Sequence, residues 1–252
     1  MVLAAMGDLH IAVAVERMHS RNHVEVLLST PKVSYKETVT MRAEGHYKHK
    51  KQTGGRGQYG EVYMYIEPKA RPDEEWFASK TVGGSIPGNF LPAIHKGFAM
   101  AMDRGCVAGF PVVNVKAVVY DGSFHDVDSS EIAFKIAGSR AFRDGMSKAH
   151  PVLLEPIMTV RISVPDHFMG DVSGDLSHKR GRIVSMEADE GMQVIIAEIP
   201  QADLFHYCAE LRSMTGGRAS FDATFARYDV VPANVAQKII ASAVHVKDSD
   251  EE

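Results

Sequence analysis

Stretches with apolar residues every three or four positions are interleaved along the chain with stretches in which apolar and polar residues alternate. The first spacing lines one face of a helix, the second one face of a strand. Leu9, Ala12, Val13 and Met18 predict a helix over Gly7–His23, and Val24–Leu28 is a short β-prone run that Pro31 ends. One helix and one strand cannot close a core, so this opening unit reads as a piece of something larger. From Tyr35 to about Val152 a second unit follows, with extended stretches at Tyr35–His46, Tyr59–Glu67 and Val112–Tyr120. Phe90, Ile94, Phe98 and Ala101 place a helix over Pro87–Met102. Ile132, Phe134, Ile136, Ala137, Ala141 and Phe142 place another over Ser129–Lys148. Asp128 with Glu131 three residues later has the form of a capping box at that helix's start.

Pro151 and Pro156 predict a linker into a third unit. There the order is strand Ile157–Val164, helix Gly170–Arg180, then strands Ile183–Ala188 and Met192–Ile199 around the turn Asp189-Glu190-Gly191. A helix over Ala202–Ser213 stops at Gly216-Gly217, and Ala219–Tyr228 is the last strand, with Phe221, Ala223 and Phe225 on one side. That is β-α-β-β-α-β, the split-βαβ order of ferredoxin-like folds. The fold hosts many activities and names none. After Pro232 a helix over Asn234–Val244 precedes the acidic tail Lys247–Glu252, which is expected to be disordered.

Composition narrows the class. With 252 residues, 45% hydrophobic and 24% charged, the chain is of ordinary globular type and has room for two cores. No apolar run approaches the roughly 18 residues of a membrane span. No basic residue precedes Met1-Val-Leu-Ala-Ala5 and Asp8 ends the run, so no signal peptide is expected. Cys106 and Cys208 form no CxxC pair and read as free thiols of a reducing, cytoplasmic compartment. A net charge of −4 excludes a globally basic coat, but not a local basic surface.

Three stretches invite chemistry. In His46–Gly60, the residues Gly55, Gly57, Gly60 and Val62 fit G-x-G-x-x-G-x-V, yet no HRD, DFG or V-A-I-K context accompanies them. A dinucleotide site would need a helix where a strand is expected, and the Walker form is absent, so nucleotide binding is the weaker reading. Lys48, Lys50, Lys51 and Arg56, with no acidic residue between them, instead read as a positively charged, glycine-bearing loop suited to an RNA backbone. A solvated hairpin with incidental lysines is as good an account. In Tyr120–Glu131, the side chains of Asp121, Ser123, His125, Asp126 and Asp128 lie too close in sequence for a triad and miss the calcium-loop spacing. A strand-to-helix loop, turning at Asp121-Gly122 and capped by Asp128, explains all but Phe124 and His125 near its apex. The third, Gly170–Arg182, ends in Lys179, Arg180 and Arg182, either phosphate contacts or a solvated helix end. None of these predicts a catalytic or metal-binding residue.

At Met6–His10, Tyr35–Thr38, His49–Gly60, Asp121–Glu131, Leu154–Met158, Gly170–Leu176, Leu211–Ser213 and Pro232–Gln237 the sequence resembles translation elongation factor G, in the family's order. The resemblance covers residues 5 to about 240. It implies an α+β fold of two α/β-sandwich domains, the first a domain IV of the ribosomal protein S5 domain 2-like type and the second the ferredoxin-like domain V. Residues 1–33 would be the C-terminal half of domain III, 34–152 domain IV, 153–231 domain V, and 232–252 a C-terminal helix and acidic tail.

In that family, domain IV enters the decoding region of the small ribosomal subunit during translocation. The resemblance therefore implies a tip formed by Gly54, Gly55, Arg56, Gly57 and Gln58 together with Gly122, Ser123, Phe124, His125 and Asp126, His125 standing at the apex near tRNA and mRNA. Lys48, Lys50 and Lys51 would be basic RNA contacts beside it, and Lys179, Arg180 and Arg182 contacts of domain V with large-subunit rRNA. The GTP-binding part of the family lies outside these residues. No cofactor is therefore expected in this chain, GTP and Mg²⁺ belonging to the missing domain, and the chain is not expected to be an enzyme. It is expected to be a cytoplasmic monomer without a membrane partner. An elongation-factor-G-like paralogue and a ribosomal protection protein share the plan; the intact Gly54–Gln58 and His125–Glu131 loops favour a translocase.

Overall fold

A computed structural model describes residues 8–52, 57–189 and 191–243. Two compact units emerge: Tyr35–Leu154 together with the chain from Val230 onward, and Glu155–Asp229 together with the chain before Tyr35.

The first unit is a sheet with two helices on one face. Strands β1 (Lys36–Val39), β2 (Ala43–Lys51), β3 (Gln58–Pro68), β4 (Phe77–Ser79) and β5 (Val115–Ser123) accompany helices α2 (Leu91–Arg104) and α3 (Glu131–Lys148), α1 being Asp8–Asn22. The four-stranded sheet has the order β2-β3-β5-β4, with β4 parallel to β5 and the other neighbours antiparallel. Met64, Ile66, Ile94, Phe98, Phe134 and Phe142 are fully buried between sheet and helices. A Cβ at Gly45 would stand 2.2 Å from the Ala141 carbonyl, and one at Gly97 2.3 Å from that of Lys135. Glycine thus lets β2 and α2 close on α3.

Glu37, one of the Tyr35–Thr38 quartet, is buried on β1 and accepts four backbone N–H groups, from Cys106, Val107, Ala108 and Phe110, at 2.7–3.2 Å. It holds the loop between α2 and β5 onto β1. Helix α6 (Ala233–Ser242) packs through Val235, Ala236, Ile239 and Ile240 beside Ala108, Leu153 and Val231.

The second unit contains β6 (Pro151–Pro165, whose first residues lie in the first unit), α4 (Met169–His178), β7 (Arg182–Asp189), β8 (Met192–Pro200), α5 (Tyr207–Thr215) and β9 (Ser220–Val230). Its strand order is β9-β6-β8-β7, the ferredoxin-like arrangement. Val160, Ile162, Val164, Ile195, Ala197 and Ile199 meet Val172, Leu176, Tyr207 and Leu211 of the helices in its core. Gly216, left-handed at φ 59°, ends α5 as expected.

Four expectations fail for physical reasons. Pro151 and Pro156 do not mark a linker but lie in the single strand β6. Pro151 is its first residue, and Pro156 falls between the segment paired with β1 and the segment paired with β8. Val24–Leu28 is not a strand, because no described strand runs beside it to satisfy its backbone, and no residue of 10–34 is buried. The helix expected at 202–213 is broken by His206 at φ 67° into a short 3₁₀ turn (Gln201–Leu204) and α5. Finally, β2 runs on to Lys51 and β5 to Ser123, so residues expected in loops stand in paired strands.

Candidate functional site

At one end of the first unit the β2–β3 hairpin and the loop from β5 to α3 are tied together. Gly57 N–H donates to Asp128 Oδ1 at 3.1 Å, and Tyr59 N–H to the Asp128 carbonyl at 3.0 Å. Ser129 Oγ donates to the Tyr59 carbonyl at 3.0 Å, and Tyr59 and Ser129 form a parallel bridge. A Cβ on Gly57 would lie 2.9 Å from the Asp128 carboxyl carbon, so a larger residue here would push that carboxylate aside. Asp128 is therefore not the cap of α3. Ser130 is, accepting from Ala133 N–H at 3.2 Å, which frees the Asp128 carboxylate for the hairpin.

The loop is internally ordered. His125 N–H donates to Ser129 Oγ at 2.9 Å, and Ser129 N–H returns to the His125 carbonyl at 3.0 Å. The His125 Nδ1 accepts the N–H groups of Val127 and Asp128, each at 3.3 Å. Its side chain is 56% exposed, and Phe124, Asp126 and Val127 are exposed around it.

Behind the loop lies a carboxylate that the sequence reading missed. Glu61, its side chain 11% exposed, receives Ser123 Oγ at 2.6 Å, His46 Nε2 at 3.0 Å, Lys48 Nζ at 3.3 Å and the hydroxyls of Tyr59 and Tyr63 at 3.3 Å. Burial pushes its pKa up, but the hydrogen bonds from Ser123, His46 and Lys48 outweigh that and hold it at about 2. His46 stacks on Tyr63 with ring centres 4.1 Å apart. The available signal was the alternation Tyr59-x-Glu61-x-Tyr63, which puts one carboxylate among tyrosines opposite Lys48.

The residues expected at the tip thus divide. Gly57, Gln58, Phe124, His125 and Asp126 come to this end of the unit, Gln58 Oε1 lying 2.9 Å from His49 Nε2. Gly122 and Ser123 belong to β5, Ser123 turned to Glu61. Gly54, Gly55 and Arg56 lie outside the described residues. Lys48 is bound to Glu61, whereas Lys50 and Lys51 are exposed and have no ion-pair partner among the described residues.

Lys179, Arg180 and Arg182, in the second unit, all face carboxylates. Lys179 meets Glu210 at 2.5 Å and Arg182 meets Glu198 at 3.5 Å. Arg180 takes Glu155 with both terminal nitrogens (2.8 and 3.0 Å) and Asp203 through Nε and Nη2 (3.0 and 2.8 Å). Four of its five N–H donors go to an internal clamp. Among the described residues no cluster of three or more His, Cys, Asp or Glu is placed to hold a metal, and no helix is long and apolar enough to cross a membrane.

A split-βαβ unit, inserted in the chain of an α/β sandwich that gathers a hairpin and a loop at one end, defines a distinctive class of two-domain α+β protein. Residues 31–150 match the family model of elongation factor G, domain IV, and residues 152–239 that of the elongation factor G C-terminus. The chain belongs to the elongation factor G family. It is also similar to a solved structure from Thermus thermophilus, at 46% identity and a TM-score of 0.80 over 93% of its length. The chain spans 35% of that protein's length.

Proposed function

We propose that the chain is the ribosome-binding C-terminal module of an elongation factor of the G type, promoting movement of tRNA and mRNA within an intact GTPase. Residues 1–33 belong to domain III, 34–152 to domain IV and 153–231 to domain V, with 232–252 as the C-terminal extension. The hairpin end from Gly54 to Gln58 and the loop around His125 face the decoding region of the small subunit. The second unit faces large-subunit rRNA, with Arg182, 77% exposed, the most open cation of its cluster. The module works in the cytoplasm and carries no cofactor of its own, GTP and Mg²⁺ acting elsewhere in the whole factor.

What carries this reading is the joining of the two family-matched segments, 57–59 and 125–129, into one tied end beside exposed Lys50 and Lys51. Folded RNA is recognised largely by shape and by phosphate and 2′-OH contacts, for which a preorganised end with local cations is suited. The test is co-sedimentation with purified ribosomes across a salt series, beside a Lys50→Gln, Lys51→Gln, Arg56→Gln variant. Binding should weaken with salt, and the variant's log–log slope should be shallower by roughly 0.7–0.9 for each phosphate it no longer neutralises. Equal, salt-independent binding by both would overturn the basic-end reading.

A further inference from the structure

We propose that the 125–129 loop locks His125 as its Nε2–H tautomer, so that the exposed edge of the ring offers RNA a hydrogen-bond donor. This rests on the reading of that end as the RNA-facing tip. A neutral imidazole has one donor and one acceptor nitrogen, and which is which follows from what the other contacts. Here Nδ1 faces two backbone donors, Val127 N–H and Asp128 N–H, both at 3.3 Å. A hydrogen on Nδ1 would confront both, so the lone pair stays there and the proton goes to Nε2.

Among the described residues, the carboxylate placed to reverse this is Asp128, whose Oδ2 is 3.7 Å from Nδ1. That is beyond hydrogen-bond range, and Oδ1 of the same carboxylate is held by Gly57 N–H. Ser129 fixes the loop from both sides, accepting from His125 N–H and donating to the Tyr59 carbonyl. The loop's backbone thus sets the polarity of a side chain that is otherwise open to solvent. The matching partner is an acceptor on RNA: a phosphate oxygen, a 2′-oxygen or a base carbonyl.

Long-range ¹H–¹⁵N correlation spectra of the labelled chain, recorded above the imidazole titration and assigned by loss of the signal in His125→Gln, test the lock directly. Limiting shifts of a single Nε2–H tautomer are expected. Averaged shifts of two exchanging tautomers, or an Nδ1–H pattern, would overturn it. On ribosomes, the Gln amide can place a donor where Nε2–H stood, while Asn places one near Nδ1. His125→Gln should bind within about twofold of the parent and His125→Asn about tenfold more weakly, the worth of one hydrogen bond. Equal losses in both would overturn the donor role. If the parent chain itself fails to bind, the ribosomal reading falls while the spectra still decide the tautomer.

Discussion

The two basic clusters, 48–51 and 179–182, look alike in sequence and are opposite in structure. In the first, Lys48 is committed to Glu61 while Lys50 and Lys51 stand exposed on a paired strand. In the second, every cation has a carboxylate, and Arg180 has two. A run of positive residues is therefore not yet a positive surface. What decides is where strand register and neighbouring helices place the acids.

The sharpest way to break the comparison is Arg180→Met. It would leave Glu155, 3% exposed, as a buried charge without its bidentate partner. A loss of about 3–5 kcal/mol is expected in denaturant unfolding; a loss below about 1 kcal/mol would return Arg180 to the surface class. Next in size is Glu61→Gln, expected to cost on the order of 2 kcal/mol at pH 7. Because the folded pKa of Glu61 lies below its ordinary 4.5, at about 2, its stabilisation is complete above 4.5. It is lost as pH falls towards 2, so the parent and variant melting curves should converge there. Curves that stay parallel from pH 7 downward would count against a depressed Glu61.

Ser130→Ala should follow at about 1 kcal/mol through the missing cap of α3. Asp128→Ala should instead loosen the hairpin contact at Gly57 with little change in α3 helicity, a contrast that circular dichroism and amide exchange can separate. Smallest is Lys50→Gln with Lys51→Gln: within about 0.5 kcal/mol in unfolding, as for exposed sites, with its effect confined to the salt dependence of ribosome binding.

Sequence periodicity carried the helices and the β-α-β-β-α-β order well, since those depend on which face each residue turns to the core. The end of β2, the end of β5 and the whole of β4 were not legible. Each is defined by its pairing with another strand, and Lys48–Lys51 and Asp121–Ser123 have loop-like composition. His125 was legible as a residue near the apex of a strand-to-helix loop, and the family resemblance added only its place beside RNA. Its Nδ1 contacts depend on backbone conformation, which residue type does not encode. Glu61 and Glu37 escaped for the same reason. A lone carboxylate in a strand reads as solvated until its donors, four main-chain groups for one and five side chains for the other, are in place.

The return of the chain to the first unit after β9 has a consequence for how the protein reaches its native state. Val231 N–H donates to the Leu153 carbonyl at 2.9 Å, and α6 closes the same cluster. Residues 155–229 are thus a guest inside a host, leaving and re-entering it at adjacent points. Once the host has folded, the guest's ends are already joined. A loop of that length would otherwise sacrifice about 4 kcal/mol of chain freedom on closure. The guest is spared that cost by its host, and a cut at the exit point near Val230 should slow its refolding more than a cut in the turn between β7 and β8.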